Sequence, residues 1–61
     1  MKIIKSLIIN EKTSENIELV EKLSDSYPTI VLNYHSGSYI FNDRNYINHL
    51  NDDKLIGFTL L

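Results

Sequence analysis

The sequence contains no cysteine and no tryptophan, and it has only two glycines and one proline. Without cysteine, neither a disulfide framework nor a thiolate metal site can supplement a small hydrophobic core. The 61 residues make a single domain, because a chain of about this length buries only about 60% of its unfolded surface and has no room for a second core. A content of 43% hydrophobic and 23% charged residues is typical of an ordinary globular domain.

Long apolar runs are also missing from the sequence. No segment approaches the roughly 18 consecutive apolar residues that a membrane-spanning helix requires. Residues Met1 to Lys5 begin like a signal peptide, but charge returns at Glu11 and no small-residue cleavage site follows the short apolar run. We therefore expect no membrane association and a cytoplasmic location.

An excess of positive charge is likewise absent. Six basic and eight acidic residues give a formal net charge of -2. A nucleic-acid-binding domain normally presents a basic face. Nucleic acid is therefore not an expected partner.

The first half of the chain predicts a strand followed by a helix. Residues Lys2 to Ile9 are rich in β-branched side chains, which favours a strand. Thr13 or Ser14 can cap the helix that follows. Pro28 disfavours helical geometry at the preceding residue, so we expect the helix to end at Tyr27.

The second half predicts a hairpin, a short helix and a final strand. Thr29 to Tyr34 alternates apolar side chains, and His35 to Gly37 has the composition of a turn. Ser38 to Phe41 then returns as the partner strand. Asp43 is a good N-cap for a short helix that reaches Leu50, and Leu55 to Leu61 reads as the last strand.

The predicted order of elements is therefore β-α-β-β-α-β. This order favours an α+β fold: an open-faced sandwich with a four-stranded, mainly antiparallel sheet and the helices on one face. A longer second helix would instead fit a ferredoxin-like split β-α-β unit. The eight residues available for the second helix favour the first alternative.

Motifs that carry catalytic or metal chemistry are not found. His35 and His49 are isolated from each other, whereas a metal site needs several converging ligands. Ser36 to Ser38 is too short for a phosphate loop, and Asn51 to Asp53 lacks the glycine and the glutamate of a calcium loop. We expect no catalytic residue, no metal and no cofactor, and hence a protein that is not an enzyme.

Tyrosine supplies most of the aromatic residues and suggests where a partner could bind. Tyr34 and Tyr39 flank the predicted turn and can pair across the two strands. Exposed tyrosine is also favoured at protein interfaces. Tyr27 and Tyr46 are expected to pack in the interior.

From Ile17 to Leu61 the sequence resembles the HPr-type phosphocarriers of the sugar phosphotransferase system. The stretch IELVEKLSDSYPTIVLNY is similar to the first helix and second strand of that family. SYIFNDRNYINHL resembles its third strand and short second helix, and DDKLIGFTLL resembles its fourth strand. The resemblance implies the same open-faced sandwich, with the first and second helices forming the partner-binding face.

The connection between the first strand and the first helix departs from the family pattern. Family members carry a Gly-x-His-Ala-Arg-Pro motif there, whose histidine accepts the phosphoryl group. Here the connection is the shorter stretch Asn10 to Asn16, which has no His, Arg, Pro or Gly. Neither His35 nor His49 aligns with the lost histidine, so the resemblance implies an HPr-like protein without phosphocarrier activity.

The sequence also lacks the third helix with which family members continue after the fourth strand. Its absence is expected to leave several hundred Å² of apolar sheet face uncovered, an area that usually marks an interaction site. Self-association or a partner protein could cover this face. Because the core is small, a homodimer is the favoured arrangement.

Asp43 aligns with a regulatory serine of Gram-positive family members, whose phosphorylated form docks on a transcriptional regulator. An aspartate at this position could resemble phosphoserine. A simple helix cap, worth roughly 1 kcal/mol over alanine, is the alternative role.

These observations predict a non-catalytic, cytoplasmic protein-interaction or regulatory module centred on the short helix and the uncovered sheet. The predicted protein-binding residues are Tyr34, Tyr39, Asp43, Tyr46, Ile47 and Leu50. The alternative is a small phosphocarrier or phosphotransferase-system accessory whose acceptor is His35 or His49. A third possibility is a fragment, or an orphan product of prophage type, whose only measurable property is its fold.

Overall fold

The computed structural model describes residues 6–61, and its elements follow the predicted order. They are the strand β1 (Leu7–Ile9), the helix α1 (Ser14–Leu23), the strands β2 (Ile30–Tyr34) and β3 (Gly37–Phe41), a 3₁₀ helix (Arg44–His49) and the strand β4 (Leu55–Leu60). Residues 2–5 of the predicted first strand lie outside the described residues. The second helix is a 3₁₀ helix rather than an α-helix, as short helical segments often are.

Helix α1 begins at the predicted cap but ends earlier than predicted. The hydroxyl of Thr13 accepts a hydrogen bond from the backbone N–H of Asn16 at 3.0 Å, which identifies Thr13 as the cap. The helix ends at Leu23, whose carbonyl accepts from the N–H groups of both Ser26 and Tyr27 in a turn. The predicted end at Tyr27 was wrong: the Ser24 hydroxyl donates to the carbonyl of Glu21, and such local bonds of serine compete with continuation of the helix.

A two-residue turn joins β2 to β3. Tyr34 pairs with Gly37, so His35 and Ser36 form the turn and Gly37 already belongs to the strand. Gly37 has a φ of +148°, a conformation that side-chain-bearing residues rarely adopt. The predicted turn, His35 to Gly37, therefore begins at the observed position and extends one residue too far.

The four strands form an open, fully antiparallel sheet in the order β1-β4-β2-β3. Each helical connection skips one strand: β4 lies between β1 and β2, and β2 lies between β3 and β4. Leu60 on β4 pairs with both Leu7 and Ile30, which places β4 at the centre. The predicted α+β class, with a four-stranded antiparallel sheet and two helices, is confirmed.

One side of the sheet and the two helices form a single core. Val20 from α1 and Tyr46 from the 3₁₀ helix are buried in the same cluster as Leu32 and Phe58, which face each other on β2 and β4. Within residues 6–61 the buried hydrophobic residues are Ile9, Val20, Ile30, Leu32, Tyr46, Leu50, Leu55, Phe58 and Leu60. Both helices therefore pack on the same face of the sheet.

The other side of the sheet, here called the outer face, carries a row of three aliphatic side chains and one threonine. The register aligns Ile8, Thr59, Val31 and Ile40 across all four strands. Ile8 is 63% exposed and Ile40 is 67% exposed. No element within residues 6–61 therefore covers the outer face at either edge of the sheet.

Gly57 allows β1 and β4 to approach closely. A Cβ atom at this position would overlap the backbone carbonyl oxygen of Ile9. Since that oxygen belongs to the backbone, it could move only if β1 shifted with it. Position 57 of β4 therefore requires glycine, because it lies beside the end of β1.

Candidate interaction surface

A surface groove of ≈ 400 Å³ lies beside the β2–β3 hairpin, and we call it the aromatic groove. It is bounded by the hairpin on one side and by the end of the 3₁₀ helix and the following loop on the other. Its lining residues are Tyr34, Ser36, Tyr39, Phe41, His49, Asp52 and Lys54. Four of these seven side chains are aromatic rings, a composition typical of protein-recognition sites.

The hairpin contributes an edge-to-face pair of tyrosines to the aromatic groove. The ring centroids of Tyr34 and Tyr39 are 5.4 Å apart with an interplanar angle of 74°. Tyr34 lies opposite Gly37 and Tyr39 lies opposite Leu32, so the two tyrosines are diagonal neighbours on one face. The predicted pairing of these two tyrosines across the hairpin is confirmed, and Tyr39 remains 58% exposed.

A second aromatic contact joins the hairpin wall of the groove to the end of the 3₁₀ helix. The rings of Phe41 and His49 have centroids 5.3 Å apart and are tilted by 39°. Phe41 is half-buried, whereas His49 is exposed at the end of the 3₁₀ helix. This contact connects the 3₁₀ helix to β3, and His49 stays exposed to solvent.

Asp52 organises the loop at the rim of the aromatic groove. Its carboxylate accepts a hydrogen bond from the backbone N–H of Lys54 at 2.9 Å. Its own N–H donates to the carbonyl of His49, and its carbonyl accepts from the ammonium of Lys12. The sequence predicts only a solvated helix end here. The hydrogen bond from the N–H of Lys54 to the carboxylate two residues earlier forms an Asx turn, which aspartate favours.

The pKa of the Tyr34 phenol is raised above its ordinary value. Burial against the groove walls is the largest cause, followed by the negative charge of Asp52 and then by the neighbouring Tyr39. Each of these disfavours the charged phenolate. The Tyr34 hydroxyl therefore keeps its proton, and so remains available as a hydrogen-bond donor, beyond the pH at which an ordinary tyrosine ionises.

The predicted protein-binding residues are divided between the surface and the core. Tyr34 and Tyr39 lie together in the aromatic groove, and Ile47 is 41% exposed on the 3₁₀ helix. Tyr46 and Leu50 are each only 2% exposed. These two side chains are anchors of the core, so the prediction that they contact a partner does not fit their position in this structure.

Asp43 is the cap of the 3₁₀ helix. Its carboxylate accepts from the backbone N–H of Asn45 at 2.9 Å, as the capping alternative predicted. Asp43 also borders a second groove of ≈ 310 Å³ together with Arg44 and Asp25. The buried hydroxyl of Tyr46, which lines this second groove, has no hydrogen-bond partner within residues 6–61.

The two histidines lie in different parts of the surface. His35 is exposed in the hairpin turn and does not line either groove, whereas His49 lines the aromatic groove. Within residues 6–61 no group of three or more His, Cys, Asp or Glu side chains is arranged to hold a metal ion. In the connection before α1, Lys12 donates to the carbonyl of Asp52, which lies 40 residues further along the chain.

Neither helix within residues 6–61 has the length and apolar character needed to cross a lipid bilayer. The chain matches no protein-family model, no curated protein and no solved structure.

Proposed function

We propose that the chain is a non-catalytic protein-interaction module that acts in the cytoplasm through the aromatic groove. The observation that carries the proposal is the exposed ring of Tyr39, held edge-on against Tyr34 in a groove that also contains Phe41 and His49. Rigid aromatic side chains contribute much contact area for little loss of conformational entropy, which makes them frequent anchors of binding energy.

The groove combines this apolar surface with a small number of polar groups. The Tyr34 hydroxyl is a donor, the Asp52 carboxylate is an acceptor, and the Lys54 side chain adds a positive charge at the rim. A short peptide segment with an apolar side chain and exposed backbone groups fits this combination. The groove is open to solvent along the hairpin, as a segment of an intact partner protein would require.

The family proposal is an HPr-like module that has no phosphocarrier activity. The succession of elements and the antiparallel sheet support an HPr-like fold. The connection before α1 supports the loss of phosphoryl transfer, because its one cation, Lys12, is engaged with the loop at Asp52. Glu11 and Glu15 flank Lys12 in the sequence and would repel a phosphate.

A peptide-display selection tests the proposed groove directly. Peptides selected on the wild-type protein should bind the His49→Ala variant at least about tenfold more weakly, since loss of one anchor costs about 1.4 kcal/mol or more. Asn48→Ala is the matched control, because Asn48 is the exposed neighbour on the same 3₁₀ helix and does not line the groove. This variant should bind like the wild type.

Amide chemical shifts provide an independent localisation of the bound peptide. Titration with a selected peptide should shift the resonances of Tyr34, Tyr39 and His49 and leave that of Ile8 on the outer face unchanged. Equal binding by His49→Ala and the wild type, or shifts confined to the outer face, would contradict the groove as the binding site.

Phosphorylation separates this proposal from the phosphocarrier alternative. The protein is incubated with phosphoenolpyruvate and the general enzyme of the phosphotransferase system, and its intact mass is measured. We expect no change in mass. A phosphohistidine at His35 or His49 would overturn the non-catalytic proposal.

A further inference from the structure

Strand β3 forms one edge of the sheet and has a free hydrogen-bonding side. Its register with β2 begins at the pair Tyr34 and Gly37, which closes the two-residue turn. In an antiparallel pair, residues that exchange hydrogen bonds alternate with residues whose backbone groups point away. The N–H and C=O groups of Ser38 and Ile40 therefore point away from β2, toward the free edge.

This edge lacks the features with which proteins normally block sheet edges. Such features are charged side chains, proline, bulges and very short strands. The five residues of β3 contain no charge and no proline, and all of them pair regularly with β2. Within residues 6–61 the main contacts of the strand are with β2 and the 3₁₀ helix, and no further strand pairs with its outer side.

We propose that β3 pairs antiparallel with β3 of a second copy of the chain, around a two-fold axis beside Tyr39. In this register Ser38 lies opposite Ile40 of the second copy, and each such pair exchanges two backbone hydrogen bonds. The two Tyr39 residues lie directly opposite each other. The two sheets then form one continuous eight-stranded sheet. This inference rests on the edge of β3 and not on peptide binding, although the contact shares Tyr39 and Phe41 with the aromatic groove.

The strand is complementary to itself in this register. Phe41 lies opposite Gly37 of the second copy, which has no side chain and leaves room for the phenyl ring. Tyr39 meets Tyr39 in the closely spaced type of pair, where side chains contact most directly. Because β3 is uncharged, two chains of net charge -2 can meet here without opposed like charges at the contact.

A matched pair of lysine substitutions tests the edge. Ile40 and Ile8 are both exposed isoleucines on the outer face, at 67% and 63%, but they lie on opposite edge strands. Sedimentation equilibrium should give a dimer for the wild type and for Ile8→Lys, and a monomer for Ile40→Lys. A monomeric wild type at all concentrations, or a dimeric Ile40→Lys, would overturn the proposal.

A variant directed at a backbone group distinguishes loss of the dimer from loss of folding. Ile40→Pro removes an N–H that faces the free edge, so no hydrogen bond to β2 is lost. It should be monomeric and should keep a cooperative thermal transition in circular dichroism. If Ile8→Lys also dissociates the dimer, the copies meet through the outer face and the edge proposal is wrong.

Cross-linking tests the register, since the chain has no cysteine of its own. Under mild oxidation Tyr39→Cys should form an intermolecular disulfide, while Ile8→Cys should stay reduced. A disulfide in Ile40→Cys but not in Tyr39→Cys would overturn the axis at Tyr39.

The groove proposal is tested separately, because His49 lies outside β3 and an Ile40→Lys monomer retains the groove residues.

Discussion

The side chain of Tyr46 shows a conflict between packing and polarity at a single residue. Its ring is among the largest fully buried groups of the core, yet its hydroxyl lacks a hydrogen-bond partner within residues 6–61. An unsatisfied buried hydroxyl costs about 1–3 kcal/mol. The ring stabilises the core while the oxygen opposes this stabilisation.

Replacing Tyr46 by phenylalanine should therefore raise stability. We expect Tyr46→Phe to increase the free energy of unfolding by about 1 kcal/mol, measured by urea denaturation. Tyr39→Phe is the control, because its side chain is mostly exposed and its hydroxyl can reach water. A loss of stability in Tyr46→Phe would mean that the hydroxyl is satisfied by a bound molecule.

The raised pKa of Tyr34 gives a second prediction at this scale. Asp52→Asn removes a negative charge that disfavours the phenolate, so the pKa of Tyr34 should fall toward its ordinary value without reaching it, because burial is the larger cause. NMR titration of the tyrosine ring carbons would measure this. An unchanged pKa would mean that the Asp52 charge is screened by solvent.

The same raised pKa predicts how stability depends on pH. The folded protein holds the Tyr34 proton more tightly than the unfolded chain does, so this contribution is fully present below the pKa of an unfolded tyrosine. It is lost as the pH rises through the folded-state pKa. Alkaline unfolding of Asp52→Asn should depend less steeply on pH than that of the wild type.

At the scale of single elements, the start of α1 depends on one hydroxyl. Thr13→Ala removes the acceptor for the N–H of Asn16 and should lower the free energy of unfolding by about 1 kcal/mol. Ser14→Ala is the matched control, because Ser14 is the first helical residue and does not provide the cap. Equal losses in both variants, measured by thermal unfolding, would argue against Thr13 as the cap.

The elements were predictable where local chemistry determines them. Thr13, Asp43 and Gly37 each act through neighbours within a few residues, and a sequence pattern detects such signals. The length of α1 was overestimated. Local hydrogen bonds in the turn after Leu23 compete with the hydrogen bonds of the helix, and a sequence pattern does not measure which of the two is more stable. The 3₁₀ geometry of the second helix was missed for the same reason.

The candidate site was only partly predictable. Tyr34 and Tyr39 were found because both flank the same turn. Phe41, His49 and Asp52 were missed as members of one groove, since the contact between β3 and the end of the 3₁₀ helix is tertiary. Tyr46 was expected both to pack in the interior and to contact a partner, and its burial fits the first expectation. Leu50 was named as a partner contact because a short apolar stripe does not reveal which side of the helix faces the sheet.

At the scale of the whole molecule, the α+β class was predictable from the order of elements. The strand order was not predicted, because it depends on pairings such as Leu7 with Leu60, which no local signal encodes. An uncovered apolar sheet face was expected from the resemblance to a larger family, without an indication of which face. The outer face carries the exposed Ile8 and Ile40, while the proposed contact between copies lies at the β3 edge.

Self-association would make thermal stability depend on concentration. If the β3 edge joins two copies, the Tm of the wild type should rise with protein concentration by mass action. The Tm of Ile40→Lys should be constant over the same range, and Ile8→Lys should behave like the wild type. A wild-type Tm that is independent of concentration would contradict the dimer.

The position of β4 also affects how the molecule is synthesised. This strand comes last in the chain among the four, yet it lies between β1 and β2 and pairs with both. On the ribosome, the β2–β3 hairpin can form as soon as it emerges, but β1 has no partner until β4 has emerged. The four-stranded sheet can therefore form only after β4 has emerged, because the pairings of β4 with β1 and β2 join parts of the chain that lie far apart in the sequence.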